Sequence, residues 1–226
     1  MTPTRPTLPS MSAALAGVPA GVQPYGPWMG RRQLFLRFAD EAETATIYTA
    51  AAIKGEIARL AARSRYHSIA ITGRDPLAEV EFLATAFRDA PALPVMLDHD
   101  GQRGEALESL LPALRLMQIC VNGGESDPVM ERICDSIGRS AKHEVAHAVV
   151  IVPADPASDA RLHRIVERVH AASAATAIVL QPSTESMSGP DRRWLAWLEQ
   201  AAAVHDDVRV LPVVPPVRGP AAMQQQ

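Results

Sequence analysis

Short apolar runs alternate with amphipathic stretches along most of this chain, and this alternation constrains the fold more than any other feature. The apolar runs are continuous and rich in Val, Ile and Leu, as is typical of parallel strands covered by helices. They predict strands at residues 33–38, 67–72, 94–98, 115–121, 145–152, 176–181 and 208–214. The amphipathic stretches predict helices at residues 46–64, 77–89, 104–113, 127–141, 158–173 and 189–203. Strand and helix alternate six times, which favours an α/β fold with a parallel sheet, but periodicity does not distinguish an open doubly wound sheet from a full or partial barrel.

Composition indicates one medium-sized domain. The chain has 226 residues, 47% of them hydrophobic, which is enough for a substantial core. A net charge of −3 gives no electrostatic reason to expect nucleic acid or an anionic membrane as a partner. No apolar run approaches the roughly 20 residues that cross a bilayer, and the N-terminus lacks the order of a signal peptide. We therefore expect a cytoplasmic protein without a membrane span.

The two ends of the chain differ in composition from the region between them. Residues 1–21 are rich in Pro, Ala, Ser and Thr without periodicity, and we expect them to form a flexible arm. Near the other end, Pro-Pro and Gly-Pro precede a run of Gln, and residues 220–226 are expected to form a flexible tail. The sequence therefore predicts a single domain over residues 22–219.

Residues 30–38, which read GRRQLFLRF, carry a family resemblance. They resemble the first strand of radical S-adenosylmethionine enzymes of the 7-carboxy-7-deazaguanine synthase family. In that family the strand leads into a loop of three cysteines that hold a [4Fe-4S] cluster. The three cysteine positions fall here on Glu41, Ala45 and Tyr48, none of which supplies a thiolate. This substitution also favours extension of the first helix over residues 41–64.

Further segments resemble the same family, in the same order along the chain. They are residues 69–73, 97–101, 180–182 and 208–219. The family folds as a partial barrel that is open on one side. The resemblance thus predicts an α/β fold of the radical S-adenosylmethionine type, a partial (β/α)6 TIM-like barrel of parallel strands.

Positions that carry function in the family are altered in this chain. The family's Gly-Gly-Glu-Pro, where the backbone approaches S-adenosylmethionine, corresponds to GRDP at residues 73–76. Its Gln-Gly-Glu-Gly corresponds to QPYG at residues 23–26, and residues 122–124 lack its lysine. Its Gln-Thr-His-Lys corresponds to residues 213–216, which read VVPP. The ancestral reaction and a [4Fe-4S] cluster are therefore not expected, and these departures put S-adenosylmethionine binding in doubt.

The chain has two cysteines, Cys120 and Cys134. They lie far from the expected cluster loop, and two thiols cannot rebuild a three-cysteine site within one chain. We expect both to be small buried hydrophobic residues.

These features favour a non-catalytic member of the family that acts as an interaction or scaffold subunit. The family is typically homodimeric, so the resemblance implies self-association or a protein partner. An alternative is a cluster-free protein that binds a small molecule similar to S-adenosylmethionine or a purine. Its site would lie at the carboxyl ends of the strands and include Gly73, Asp75, Asp98 and Asp100.

A zinc hydrolase is a second alternative, because His143-Glu144-Val145-Ala146-His147 matches H-E-x-x-H. On a helix, His143 and His147 would lie on one face and bind Zn²⁺, and the glutamate would activate water. The β-branched residues that follow at 149–152 favour a strand instead. In a strand the two histidines would be about 13 Å apart and could not share a metal.

Overall fold

A computed structural model describes residues 12–41, 43–89, 91–152, 159–182 and 193–212, and contains ten strands and six α-helices within those ranges. The strands are β1 Ser12–Gly17, β2 Ala20–Val22, β3 Arg32–Phe38, β4 Thr46–Thr49, β5 Ser68–Gly73, β6 Val95–His99, β7 Leu114–Val121, β8 Ala146–Ile151, β9 Ala177–Leu180 and β10 Val208–Val210. The helices are α1 Ala50–Arg63, α2 Val80–Phe87, α3 Gly104–Glu108, α4 Asp127–Lys142, α5 Asp159–Ala172 and α6 Arg193–Ala202. Short 3₁₀ turns lie at Pro76–Glu79 and Leu111–Ala113.

All ten strands join one sheet, and most of its pairings are parallel. Strands β3, β5, β6, β7, β8, β9 and β10 are neighbours in chain order, and each pair is parallel. The predicted α/β class and parallel sheet are therefore confirmed. The sheet is not closed, because β10 and β4 end the strand order on opposite sides.

The helices cover one face of this sheet. Right-handed crossovers that always step in the same direction place their connecting helices on a common face. Alternate strand residues and the apolar sides of the helices accordingly form one buried cluster, which includes Leu36, Ile71, Leu97, Ile119, Val149, Ile53, Phe82, Met130 and Val166.

The opposite face, which we call the polar face, carries Gln33, Ser68, Met96, Asp98 and Gln118. Its side chains are also buried, and Gln33, Ser68 and Gln118 are completely inaccessible. Two of them are hydrogen-bonded to each other, since Gln33 Nε2 donates to Ser68 Oγ at 2.8 Å. The described helices lie on the other face, so this face has a different cover, and part of that cover is the loop between β2 and β3.

The start of the described chain corrects the expected arm. Residues 12–17 form β1, which pairs antiparallel with both β3 and β4, and residues 20–22 form β2. Ala13 and Leu15 are completely buried. The prediction of a flexible arm is therefore wrong for residues 12–21, and residues 1–11 lie outside the described part of the chain. The composition suggested flexibility because burial at alternate residues depends on the neighbouring strands, which local sequence does not reveal.

The helix expected over residues 46–64, and its extension from residue 41, are also corrected. Residues 46–49 form β4, since Thr, Ile, Tyr and Thr suit a strand that pairs with β1. Helix α1 begins only after Thr49, whose side chain caps it by accepting a hydrogen bond from Ala52 N at 3.2 Å.

Candidate functional site

The carboxyl ends of the parallel strands meet at one edge of the sheet, where ligands bind in folds of this kind. Two adjacent cavities open there. The outer pocket has a volume of about 530 Å³, and its lining includes Asp40, Glu41, Glu43, Ala45, Arg74, Asp75 and Arg103. The Asp98 cavity has a volume of about 310 Å³ and is lined by Tyr25, Thr72, Gly73, Asp75, Pro76, Leu77, Asp98, His99, Asp100 and Cys120. Asp75 lies between them and contributes to both.

The outer pocket contains two of the three positions that correspond to cluster cysteines. Glu41 and Ala45 line it, whereas Tyr48 lies in β4 opposite Ala13 of β1. Glu41 Oε1 is 2.6 Å from Arg74 Nη1 in a solvent-exposed ion pair. One carboxylate that is already paired with a guanidinium cannot replace three thiolates. These residues do not fit a [4Fe-4S] cluster.

The turn after β5 has a structural reason for its glycine. Gly73 has φ +103°, and a Cβ there would lie 2.3 Å from the Phe38 carbonyl oxygen. Asp75 follows in a left-handed conformation with φ 44°, and Arg103 Nε donates to its Oδ1 at 2.7 Å. The turn is therefore held by close approach of β3 and by an ion pair.

All four residues expected for a residual ligand site line the Asp98 cavity. They are Gly73, Asp75, Asp98 and Asp100. The structure thus brings these residues together from the ends of β5 and β6 and the turns that follow them. Sequence reasoning did not place Tyr25, His99 and Cys120 in the site, and these residues also line the cavity. His99 directly follows Asp98 at the end of β6, and this position beside a predicted site residue was the available signal.

Asp98 is the central group of the cavity and is only 8% exposed. The Tyr25 hydroxyl donates a hydrogen bond to its Oδ2, and Cys120 Sγ lies 3.9 Å from its Oδ1. Burial raises the pKa of Asp98 to about 6, against the opposing effect of its hydrogen-bonding neighbours. These neighbours are neutral, so no cation among the residues that the structure describes is in direct contact with the ionised carboxylate.

Tyr25 and Cys120 are both neutral at physiological pH. Burial and the nearby Asp98 carboxylate raise the pKa of the Tyr25 phenol far above its usual range. The same two causes raise the pKa of the Cys120 thiol. Tyr25 therefore acts as a hydrogen-bond donor, and Cys120 is a poor nucleophile because the reactive thiolate does not form.

His99 is the second buried ionisable residue of the lining. It is 7% exposed, and burial lowers its pKa to about 4, so the imidazole is neutral. Its Nδ1 accepts a hydrogen bond from Gly101 N at 3.3 Å, which assigns the proton to Nε2, and Nε2 has no hydrogen-bond partner within the described residues. Side chains alternate along β6, so Asp98 lies on the polar face, whereas His99 pairs with Ile119 of the helix-covered face.

The H-E-x-x-H segment does not form a zinc site. His143 follows the last residue of α4, whereas His147 lies in β8, so the motif is not on one helix. His143 Nε2 is 3.1 Å from Glu108 Oε1, and His147 Nδ1 lies 2.7 Å from the Val145 carbonyl oxygen. The helical geometry that the zinc hydrolase alternative requires is absent from this segment, and that alternative is wrong.

No family model matches this chain, and no curated protein is significantly similar to it. Among the helices in the described ranges, none combines the length and apolarity needed to cross a membrane.

Proposed function

We propose that this chain is a non-catalytic relative of the 7-carboxy-7-deazaguanine synthase family and binds a small molecule in the Asp98 cavity. The parallel strands follow one another in chain order and the polar face is buried, as expected for a partial (β/α)6 barrel. The cluster positions Glu41, Ala45 and Tyr48 lack thiolates. Without a cluster to supply an electron, the family's chemistry cannot begin. The proposed activity is therefore binding.

The observation that carries this proposal is the burial of the Asp98 carboxylate in the cavity, with no cation among its contacts in the described chain. Ionisation of a buried carboxylate without a cationic partner costs free energy, and an asparagine could accept the Tyr25 hydrogen bond without that cost. The adjacent imidazole also keeps a buried N–H without a partner in the described chain. Perturbed ionisable groups that lie together in a cleft are typical of functional sites.

Asp98 defines the chemistry of the ligand, because its carboxylate would accept a hydrogen bond from an N–H group. A volume of about 310 Å³ lies at the small end of ligand sites, so the molecule must be compact or bind only in part. Purine-like heterocycles and the adenine end of S-adenosylmethionine meet these requirements.

Calorimetric titration tests the proposal with S-adenosylmethionine, S-adenosylhomocysteine and guanine-like heterocycles. We expect at least one to bind, and Asp98→Ala to weaken that binding about tenfold to one hundredfold because a charge-assisted hydrogen bond is lost. The exposed and distant Asp89→Ala is the matched control and should bind as the unmodified protein does. Absence of heat and of thermal stabilisation with every compound would refute the proposal.

A scaffold role based on self-association is a second candidate, and the edge strand β4 favours it. β4 ends the strand order of the described sheet and reads Thr-Ile-Tyr-Thr, without the charge or proline that usually blocks edge pairing. Ile47 is 52% exposed. Two copies related by a twofold axis could pair their β4 strands antiparallel and continue the sheet from one subunit into the next.

A further inference from the structure

The loop between β2 and β3, residues 23–31, lies across the polar face, and we call it the strap. Two hydrogen bonds close its base. Gln23 N donates to Arg31 O, and Gly30 N donates to Gln23 O, both at 2.9 Å. Gly26 and Gly30 have positive φ values of +77° and +81°, which suit glycine and give the backbone local freedom. Met29 N and Arg31 N donate to Gly26 O and Trp28 O, both at 3.1 Å, so the strap has internal turns as well as a fixed base.

The tip of the strap is held at two points. The Tyr25 hydroxyl donates to Asp98 Oδ2, and Gly26 N donates to Gln181 Oε1 at 3.2 Å. Gly26 also packs closely on the sheet, since a Cβ at that position would lie 2.3 Å from Gln118 Oε1. Few bonds therefore hold the tip, and the strongest of them ends on the carboxylate of the proposed ligand site.

Buried amide groups beneath the strap favour some opening. Gln118 approaches Asp98, but neither its Nε2 nor its Oε1 makes a hydrogen bond of normal geometry within the described chain. Each buried polar atom without a partner is costly, and movement of the strap would give these groups access to hydrogen-bonding partners. The Tyr25–Asp98 hydrogen bond therefore stabilises the closed position of the strap, and the burial of amide atoms without partners destabilises it.

We propose that the strap is a lid on the Asp98 cavity and that the Tyr25–Asp98 hydrogen bond is its latch. Asp98 Oδ2 is the acceptor for Tyr25 in the closed state. A ligand that donates to the same oxygen competes with the phenol, releases the tip and holds the strap open. The competition with a ligand depends on the proposed function, whereas the latch is a property of the free protein.

Hydrogen exchange of the ligand-free protein, followed by mass spectrometry of the segment 23–31, tests the latch. Tyr25→Phe keeps the ring and removes only the donor hydroxyl. We expect exchange in the strap to become about tenfold faster, the effect of losing one hydrogen bond to a charged group. The segment 127–142 of α4 should not change. Tyr48→Phe, which removes a hydroxyl in β4, is the matched control and should exchange as the unmodified protein does.

Two variants of Asp98 provide a second test. Asp98→Asn retains an oxygen acceptor and should keep strap exchange close to that of the unmodified protein. Asp98→Ala removes the acceptor and should accelerate exchange as Tyr25→Phe does. Unchanged strap exchange in Tyr25→Phe, or equal acceleration in α4, would overturn the latch. If calorimetry detects no ligand while Tyr25→Phe still accelerates exchange in the strap, the latch is supported and the proposed function is refuted.

Discussion

At the scale of single residues, the environment of Asp98 differs strongly from that of an aspartate on a protein surface. It is the penultimate residue of a strand whose residues are all buried, and its carboxylate contacts a phenol and a weakly interacting thiol. Asp98 and its neighbour His99 are both held towards their neutral forms, so the cavity combines two groups that burial has shifted in opposite directions.

Asp98→Asn should change how stability depends on pH. The folded pKa of Asp98, about 6, lies above the unfolded value of about 3.9, so its protonated form stabilises the fold at low pH. That stabilisation is present below about pH 4 and is lost as pH rises through about 6, a change of about 3 kcal/mol. The asparagine variant lacks this loss. Urea unfolding should therefore show it to be more stable than the unmodified protein at pH 8, by about 2 kcal/mol.

Asp100→Asn, an exposed neighbour, is the control for this prediction and should change stability by less than about 0.5 kcal/mol. If Asp98→Asn is instead less stable than the unmodified protein at pH 8, the ionised carboxylate stabilises the fold and its cost has been misjudged.

At the scale of elements, the turn between β5 and the 3₁₀ turn at Pro76–Glu79 positions the floor of both cavities. β3 and β5 are in register from Gln33 opposite Ser68 to Phe38 opposite Gly73. The two strands therefore end together, and the close contact at Gly73 leaves Asp75 at the rim. Gly73 therefore has a local steric explanation that does not involve a ligand.

Gly73→Ala should destabilise the protein by at least about 2 kcal/mol. The added methyl group meets the Phe38 backbone, and the positive φ of +103° is unfavourable for alanine. The free energy of unfolding from urea titration measures this loss. Gly55→Ala, in the exposed middle of α1 with no atom near the new methyl group, should stabilise by about 0.5–1 kcal/mol. Equal effects of the two substitutions would contradict the steric argument.

At the scale of the whole molecule, one sheet runs from β10 to β4, and one continuous core lies beneath its helices. The parallel part follows chain order, and the antiparallel strands β1 and β2 are added beside β3. β1 buries Ala13 and Leu15 and leaves β4 as the edge. The first described strand therefore determines which surface is available for self-association.

Light scattering after size-exclusion chromatography tests that surface. Through β4 pairing, we expect a particle of twice the 24.3 kDa chain mass. Ile47→Lys should lower the measured mass to that of a single chain. In the dimer the two introduced lysines would be buried near each other, and their repulsion disfavours pairing of the β4 edges. Leu195→Lys is the control, because Leu195 is exposed in α6 and should leave the mass unchanged. A single-chain mass for the unmodified protein would exclude this dimer.

Local sequence was sufficient to predict an element wherever the hydrophobic pattern of that element alone indicates a strand or a helix. The parallel strands were predicted to within a few residues, since continuous runs of Val, Ile and Leu are buried on both faces of a covered sheet. Helices α4 and α5 were predicted within one residue at each end, because their apolar positions repeat at helical spacing. Even the strand at β8 was expected from its β-branched residues, against the competing histidine motif.

Tertiary structure decided what depends on contacts between distant segments. β1 and β4 are strands because β1 pairs with both β3 and β4, and neither composition nor helical periodicity contains that information. The same holds for the site. The sequence placed Asp98 at a strand end, but only folding brings Tyr25, 73 residues away, to its carboxylate and buries the pair. Burial shifts the pKa values of Asp98 and His99, because desolvation is a property of the packed environment and not of a residue type.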